Sequence, residues 1–89
     1  MKFLKFAFNY RKSGTVVKVN MTGTASDVFL VDSTNLAMFE RGGRFTYYGG
    51  HYEITPALLQ VPSVGVWTAV VVPPPGRTVR AAVEVLPRP

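Results

Sequence analysis

The feature that most constrains the fold is an alternation of apolar and polar side chains over residues 15–21. Val17, Val19 and Met21 fall on one face of an extended chain, and the residues between them are polar. Alternation with a period of two is typical of a β-strand with one buried face. The sequence therefore predicts a strand here, together with a second apolar layer for that strand to pack against.

Similar patterns, separated by turn residues, predict further short strands along the chain. Arg11-Lys12-Ser13-Gly14 supplies turn residues for a hairpin between the first two strands, and Gly49-Gly50 is expected to break the fourth. The sixth strand is apolar on both faces, as expected of a central strand in a two-layer sandwich, with Trp67 in the core. The predicted strands cover residues 3–8, 15–21, 28–31, 44–48, 57–61, 66–72 and 78–86.

One helix of about two turns is predicted within residues 32–43, with Ser33 capping its start and Gly42 ending it. No sustained helical period is present that could cover a parallel sheet. The predicted fold is mainly β, a compact antiparallel β-sandwich or partly closed barrel of six to seven strands with one short helix. We expect a single domain spanning residues 1–89, because a chain of this length builds one core.

The residue types on which most enzymes depend are scarce. The chain has no Cys, which excludes disulfides, thiolate metal sites and cysteine nucleophiles, and His51 is its single histidine. His51 and Glu53 share a strand face at i and i+2, a spacing that suits a metal or an acid–base pair but often arises by chance. We therefore predict no enzyme activity, no catalytic residues, no metal and no cofactor.

The formal charge of +5 is unevenly distributed, because residues 1–26 contain five Lys or Arg and no acid. The whole excess therefore lies on the predicted first hairpin, whose positive face would attract phosphate, nucleic acid or an anionic surface. The alternative is a charged edge that discourages pairing between molecules. The nucleic-acid hypothesis is the weaker of these, since no recognised binding fingerprint is present.

Residues 41–52 have the most unusual composition, with two Arg, four aromatic residues, one His and four Gly. Guanidinium groups match carboxylate or phosphate oxygens, and aromatic faces stack on rings. The alternative is that the aromatic residues fill the core and the arginines are solvated. The residues predicted to bind an anionic or ring-bearing ligand are Arg41, Arg44, Tyr47, Tyr48 and His51.

Five segments of the chain together resemble a small bacterial family of domains of unknown function, numbered eighteen eighty-three. They are Met1-Lys2-Phe3-Leu4, residues 13–17, residues 27–35, Tyr47-Tyr48-Gly49-Gly50 and residues 62–67. The resemblance implies an all-β domain that occurs alone or joined to TIR domains, with no established activity. For the fused members it implies a recognition or sensor role in bacterial defence.

The leading hypothesis is a non-catalytic binding or interaction module for an anionic small molecule or a protein partner. The alternatives are a structural, homo-oligomerising β domain and a weak nucleic-acid binder. No apolar run approaches the roughly 18 residues that cross a bilayer, and the opening residues 1–8 read as a strand rather than a signal peptide. We therefore expect no membrane partner and a cytoplasmic location.

Overall fold

Seven strands and one helix form within residues 3–86. A computed structural model describes residues 3–86 of the chain. The elements are β1 (Leu4–Arg11), β2 (Val16–Thr22), β3 (Ser26–Asp32), α1 (Ser33–Glu40), β4 (Tyr48–Tyr52), β5 (Ala57–Gln60), β6 (Gly65–Val72) and β7 (Arg80–Leu86).

The strands form two antiparallel sheets that face each other. One sheet has the order β1-β6-β3-β4, and the other has the order β5-β2-β7. Val17 and Val19 of β2 pack against Leu30 of β3 and the apolar face of β6, so the main core lies between the sheets. The predicted mainly β sandwich with one short helix is confirmed.

The predicted hairpin between the first two strands is wrong. β1 pairs with β6, whereas β2 pairs with β5 and β7 in the other sheet. The turn before β2 is tied to the end of β5, because the Gly14 N–H donates to the Val61 carbonyl at 2.9 Å. Turn residues show where a chain reverses but not which strands pair, and here β1 and β2 bury their apolar faces in the same core from opposite sheets.

The separation of β1 from β2 also divides the basic residues predicted to share one hairpin. Lys5 forms a salt bridge of 2.8 Å with Glu40 at the end of α1. Lys18 lies in the other sheet, directly opposite Glu84 of β7. The positive hairpin face predicted from the sequence is therefore absent from residues 3–86.

The four-stranded sheet is covered on both faces. Leu30 and Ala69 point into the main core, whereas Phe29 and Val70 point outward and pack against Phe39 of α1. This second, smaller core explains why β6 is apolar on both faces. The prediction of a central strand at residues 66–72 is confirmed, and Trp67 is buried in the main core.

The helix has the predicted length, but a different residue caps it. Asp32 is the N-cap, and its Oδ1 accepts hydrogen bonds from the Asn35 backbone N–H at 2.8 Å and the Asn35 side-chain amide at 2.9 Å. Ser33 is already the first helical residue. Gly42 follows the C-cap with a φ of +78°, so its predicted role in ending the helix is confirmed.

The predicted strand at residues 44–48 is wrong, because the observed β4 begins at Tyr48 and runs through Gly49-Gly50. The preceding segment runs back beside α1 instead. The Gly43 N–H donates to the Met38 carbonyl at 2.9 Å, and the Thr46 N–H donates to Asn35 Oδ1 at 2.7 Å. Because these two N–H groups are bonded to helix residues, they do not pair with a neighbouring strand.

The remaining predicted strands correspond to β5, β6 and β7 within a few residues. β7 begins at Arg80 rather than residue 78, and Val79, Ala81 and Val83 pack on the core as the alternation predicts. Among residues 3–86, the single helix is too short to cross a membrane.

Candidate functional site

The two arginines of the predicted site flank the end of α1. Arg41 is the C-cap, with its backbone N–H donating to Ala37, and Arg44 begins the segment that runs back beside the helix. Both side chains are exposed. Neither forms a salt bridge with any carboxylate in the described part of the chain. Their guanidinium groups are therefore free to bind an anion.

The two predicted tyrosines lie on opposite faces of the four-stranded sheet. The Tyr47 ring rests on the outer face, with its centroid 5.4 Å from that of Phe29, and is 51% exposed. The Tyr48 ring turns toward the main core and meets Trp67 edge-on at 5.7 Å. One bound ring therefore cannot stack on both tyrosines.

His51 is paired across the sheet rather than along its own strand. It lies directly opposite Asp27 in the β3–β4 ladder, and its Nδ1 is 3.0 Å from Asp27 Oδ1. An ionised carboxylate accepts from Nδ1–H, so Nε2 accepts a hydrogen bond when the imidazole is neutral and donates one when the imidazole is protonated. Glu53, the i+2 residue considered from the sequence, lines a separate depression of about 250 Å³.

The His51–Asp27 pair forms part of the wall of an open cleft of about 1310 Å³. The cleft lies where β1 and β3 begin and where β6 and β4 end. Its walls are mostly apolar, and its charged groups are Asp27 and Arg77, with the His51 imidazole beside them. The lining residues are Phe3, Leu4, Ser26, Asp27, His51, Val72, Pro73, Pro74, Pro75, Gly76, Arg77, Thr78 and Val79.

The loop between β6 and β7 forms one side of the cleft. Pro73-Pro74-Pro75 fixes the backbone φ of three successive residues, and Gly76 then turns the chain with a φ of +76°. The Arg77 N–H closes this turn on the Pro74 carbonyl at 3.1 Å. The proline φ angles and this hydrogen bond therefore restrict the backbone that positions Arg77 at the cleft.

The sequence singled out His51 but missed the residues that accompany it. Asp27 is 24 positions away in sequence, and strand pairing alone places it beside the imidazole. Arg77 follows the proline run and lies 26 positions beyond His51, outside the segment whose composition indicated a site. The structure brings His51 into the cleft with Asp27 and Arg77, and it places Arg41, Arg44 and Tyr47 at and after the end of the helix.

These features define the chain as a β-sandwich domain with a mostly apolar cleft, to which the described residues contribute one imidazole, one carboxylate and one guanidinium group. Its sequence matches the family model for the domain of unknown function DUF1883 over residues 1–89. The chain belongs to this family. Comparisons with curated proteins and with solved structures gave no match.

Proposed function

We propose that this domain is a non-catalytic binding module that holds an anionic, ring-bearing ligand in the cleft beside His51. The observation that carries the proposal is the placement of Arg77 and the His51–Asp27 pair on the walls of a cleft that is otherwise mostly apolar. Ligand sites of this kind combine apolar walls with a few polar groups that fix orientation.

The charges in the cleft favour an anion. Asp27 accepts a hydrogen bond from the imidazole, so one of its carboxylate oxygens already has a partner within the protein. Arg77 has no carboxylate partner among the salt bridges of residues 3–86 and can bind phosphate or carboxylate oxygens through two parallel N–H groups.

The apolar walls favour a ring. Phe3, Val72 and the proline run offer flat, apolar surface on which a planar ring loses contact with water. When the imidazole is neutral, His51 Nε2 can accept a hydrogen bond from an N–H or O–H group at the edge of that ring. A nucleoside monophosphate has the required parts, which are a ring with N–H groups and a phosphate.

The surroundings of His51 support a binding role rather than catalysis. A hydroxyl nucleophile needs a base within hydrogen-bond reach. Ser26 is buried in the cleft wall, and its hydroxyl donates to the Thr24 carbonyl at 3.3 Å. Among the described hydrogen bonds, the imidazole pairs with Asp27 and not with a hydroxyl.

The finer expectations from sequence fit this proposal. A small binding module is what a TIR-fused bacterial sensor requires, and a nucleotide-like ligand is abundant in the cytoplasm. We include bacterial origin, the link to TIR proteins and a cytoplasmic location in the proposal as predictions.

Isothermal titration with AMP, adenosine and ribose 5-phosphate tests the proposal. We expect AMP to bind more tightly than either fragment, because it combines the ring and the phosphate. Arg77→Ala should reduce AMP affinity about tenfold or more, to the level of adenosine, because a charge-assisted hydrogen bond is lost. His51→Ala should weaken AMP and adenosine alike and leave ribose 5-phosphate unchanged.

Arg44→Ala is the matched control, since it removes the same group outside the cleft. If Arg44→Ala lowered the AMP affinity about tenfold and Arg77→Ala left it unchanged, the result would contradict binding in the cleft and favour a site in the segment after the helix. Failure of AMP, other nucleotides, sugar phosphates and aromatic carboxylates to bind would contradict the proposed function itself.

A further inference from the structure

The edge strands of the two sheets differ in how they are protected. The edges are β1, β4, β5 and β7. Sheet edges that remain unpaired usually contain bulges, prolines or charges that prevent another strand from joining. β1 has a register shift in its middle, the four-residue β5 lies between Pro56 and Pro62, and β7 contains Arg80 and Glu84.

β4 has none of these features along its described length. Its sequence is Tyr-Gly-Gly-His-Tyr, without Lys, Arg, Asp, Glu or Pro. Its residues are exposed or half-buried, and one side of the strand pairs with β3 while the other ends the sheet. The helix packs on β3 and β6, and β5 of the other sheet approaches β4 but pairs with β2. The outer edge of β4 therefore has no strand paired with it among residues 3–86.

We propose that β4 pairs with β4 of a second copy of this chain, antiparallel about a two-fold axis at Gly50. This register joins two four-stranded sheets into one continuous sheet of eight strands. Gly50 lies opposite Gly50 of the second copy, and Tyr48 lies opposite Tyr52 of the second copy on each side.

The strand sequence favours a second copy as the occupant. A two-fold interface must be self-complementary. The order Tyr-Gly-Gly-His-Tyr reads nearly the same in both directions. In this register the tyrosines meet at both ends, Gly50 meets Gly50 at the centre, and Gly49 leaves room for His51 of the second copy. Aromatic pairs directly across a ladder are stabilising, and the strand has no formal charge when His51 is neutral.

Charge exchange at Gly50 tests the surface and its register together. A Cβ at Gly50 meets no atom within 4 Å, so Gly50→Lys and Gly50→Glu should keep the monomer fold. Each variant places like charges directly opposite each other in the two-fold pair, and we expect self-association to weaken about fivefold. Mixing the two variants places Lys opposite Glu and should restore association as a heterodimer.

Sedimentation velocity over a concentration series measures the species, with a wild-type dimer expected at twice the 9.8 kDa monomer mass. Val64→Lys adds the same charge at an exposed site outside β4 and should leave the dimer unchanged. A wild-type chain that stays monomeric at its highest soluble concentration would overturn the proposal. The proposal would also be overturned if Gly50→Lys dimerised as strongly as the wild type. A mixture of Gly50→Lys and Gly50→Glu that associated no more strongly than either variant alone would overturn it as well.

Discussion

At the scale of single residues, the two adjacent glycines of β4 have different roles. Gly49 has a φ of +152°, and a Cβ there would collide with the Val28 carbonyl oxygen and lie 2.7 Å from the Phe29 Cα. Gly50 has open space at the same position. Gly49 lies directly opposite Phe29 in the β3–β4 ladder, and the Phe29 ring packs against Tyr47 on the outer face.

We predict that Gly49→Ala destabilises the domain by about 3 kcal/mol, because it combines a backbone conformation that side chains rarely adopt with a clash against β3. Gly50→Ala should stay within about 0.5 kcal/mol of the wild type, as surface substitutions usually do. Urea denaturation at low protein concentration measures both. Equal effects at the two positions would contradict the described geometry of β4.

The helix cap gives a second test at this scale. Asp32→Ala removes the acceptor for the Asn35 N–H and should cost about 1 kcal/mol of unfolding free energy. Ser33→Ala changes the residue that the sequence indicated as the cap and should be nearly neutral, because Asp32 still caps the helix. Thermal denaturation of the pair distinguishes these assignments, and the reverse order of effects would assign the cap to Ser33.

At the scale of elements, the helix matters because it covers the outer face of the four-stranded sheet. Phe39 packs edge-on against Phe3 and Phe29, with ring centroids 4.9 and 5.5 Å apart, and meets Phe45 at 5.1 Å. This aromatic cluster is separate from the core between the sheets. The helix is therefore held mainly by one buried side chain and its cap.

Phe39→Ala should lower the free energy of unfolding by about 3 kcal/mol, because it removes the ring on which the cluster is centred. Met38→Ala, on the exposed side of the same helix, should cost less than about 1 kcal/mol. Chemical denaturation provides the comparison. If Phe39→Ala fails to fold, Phe39→Leu keeps most of the volume and should cost about 1.5 kcal/mol. Similar small losses in Phe39→Leu and Met38→Ala would show that the cluster contributes little.

The sequence predicted the positions of the strands and the helix better than it predicted which strands pair with each other. Periodicity and glycine placement located β2, β6, β7 and the helix. These elements bury one or two faces, and the buried positions are apolar in the sequence. No sequence pattern indicates that β1 pairs with β6. A strand that buries one face is compatible with either sheet, and only the complete packing of both layers selects the partner.

At the scale of the whole molecule, the cleft is a product of topology. Asp27, His51 and Arg77 come from β3, β4 and the loop before β7. They meet because β3 begins, β4 ends and β7 begins at the same edge of the sandwich. No local motif marks these three residues as neighbours. Composition could indicate residues 41–52 as a candidate site because their Arg, Tyr and Gly residues lie close together in sequence.

The central claim, that this cleft binds an anionic, ring-bearing ligand, is tested most directly by mapping backbone amide chemical shifts of the labelled chain during titration with AMP. The account predicts that the largest changes cluster at residues 3–4, 26–27, 51 and the non-proline positions of 72–79. Changes confined to residues 41–47, or none at saturating AMP and none with other nucleotides, would contradict it.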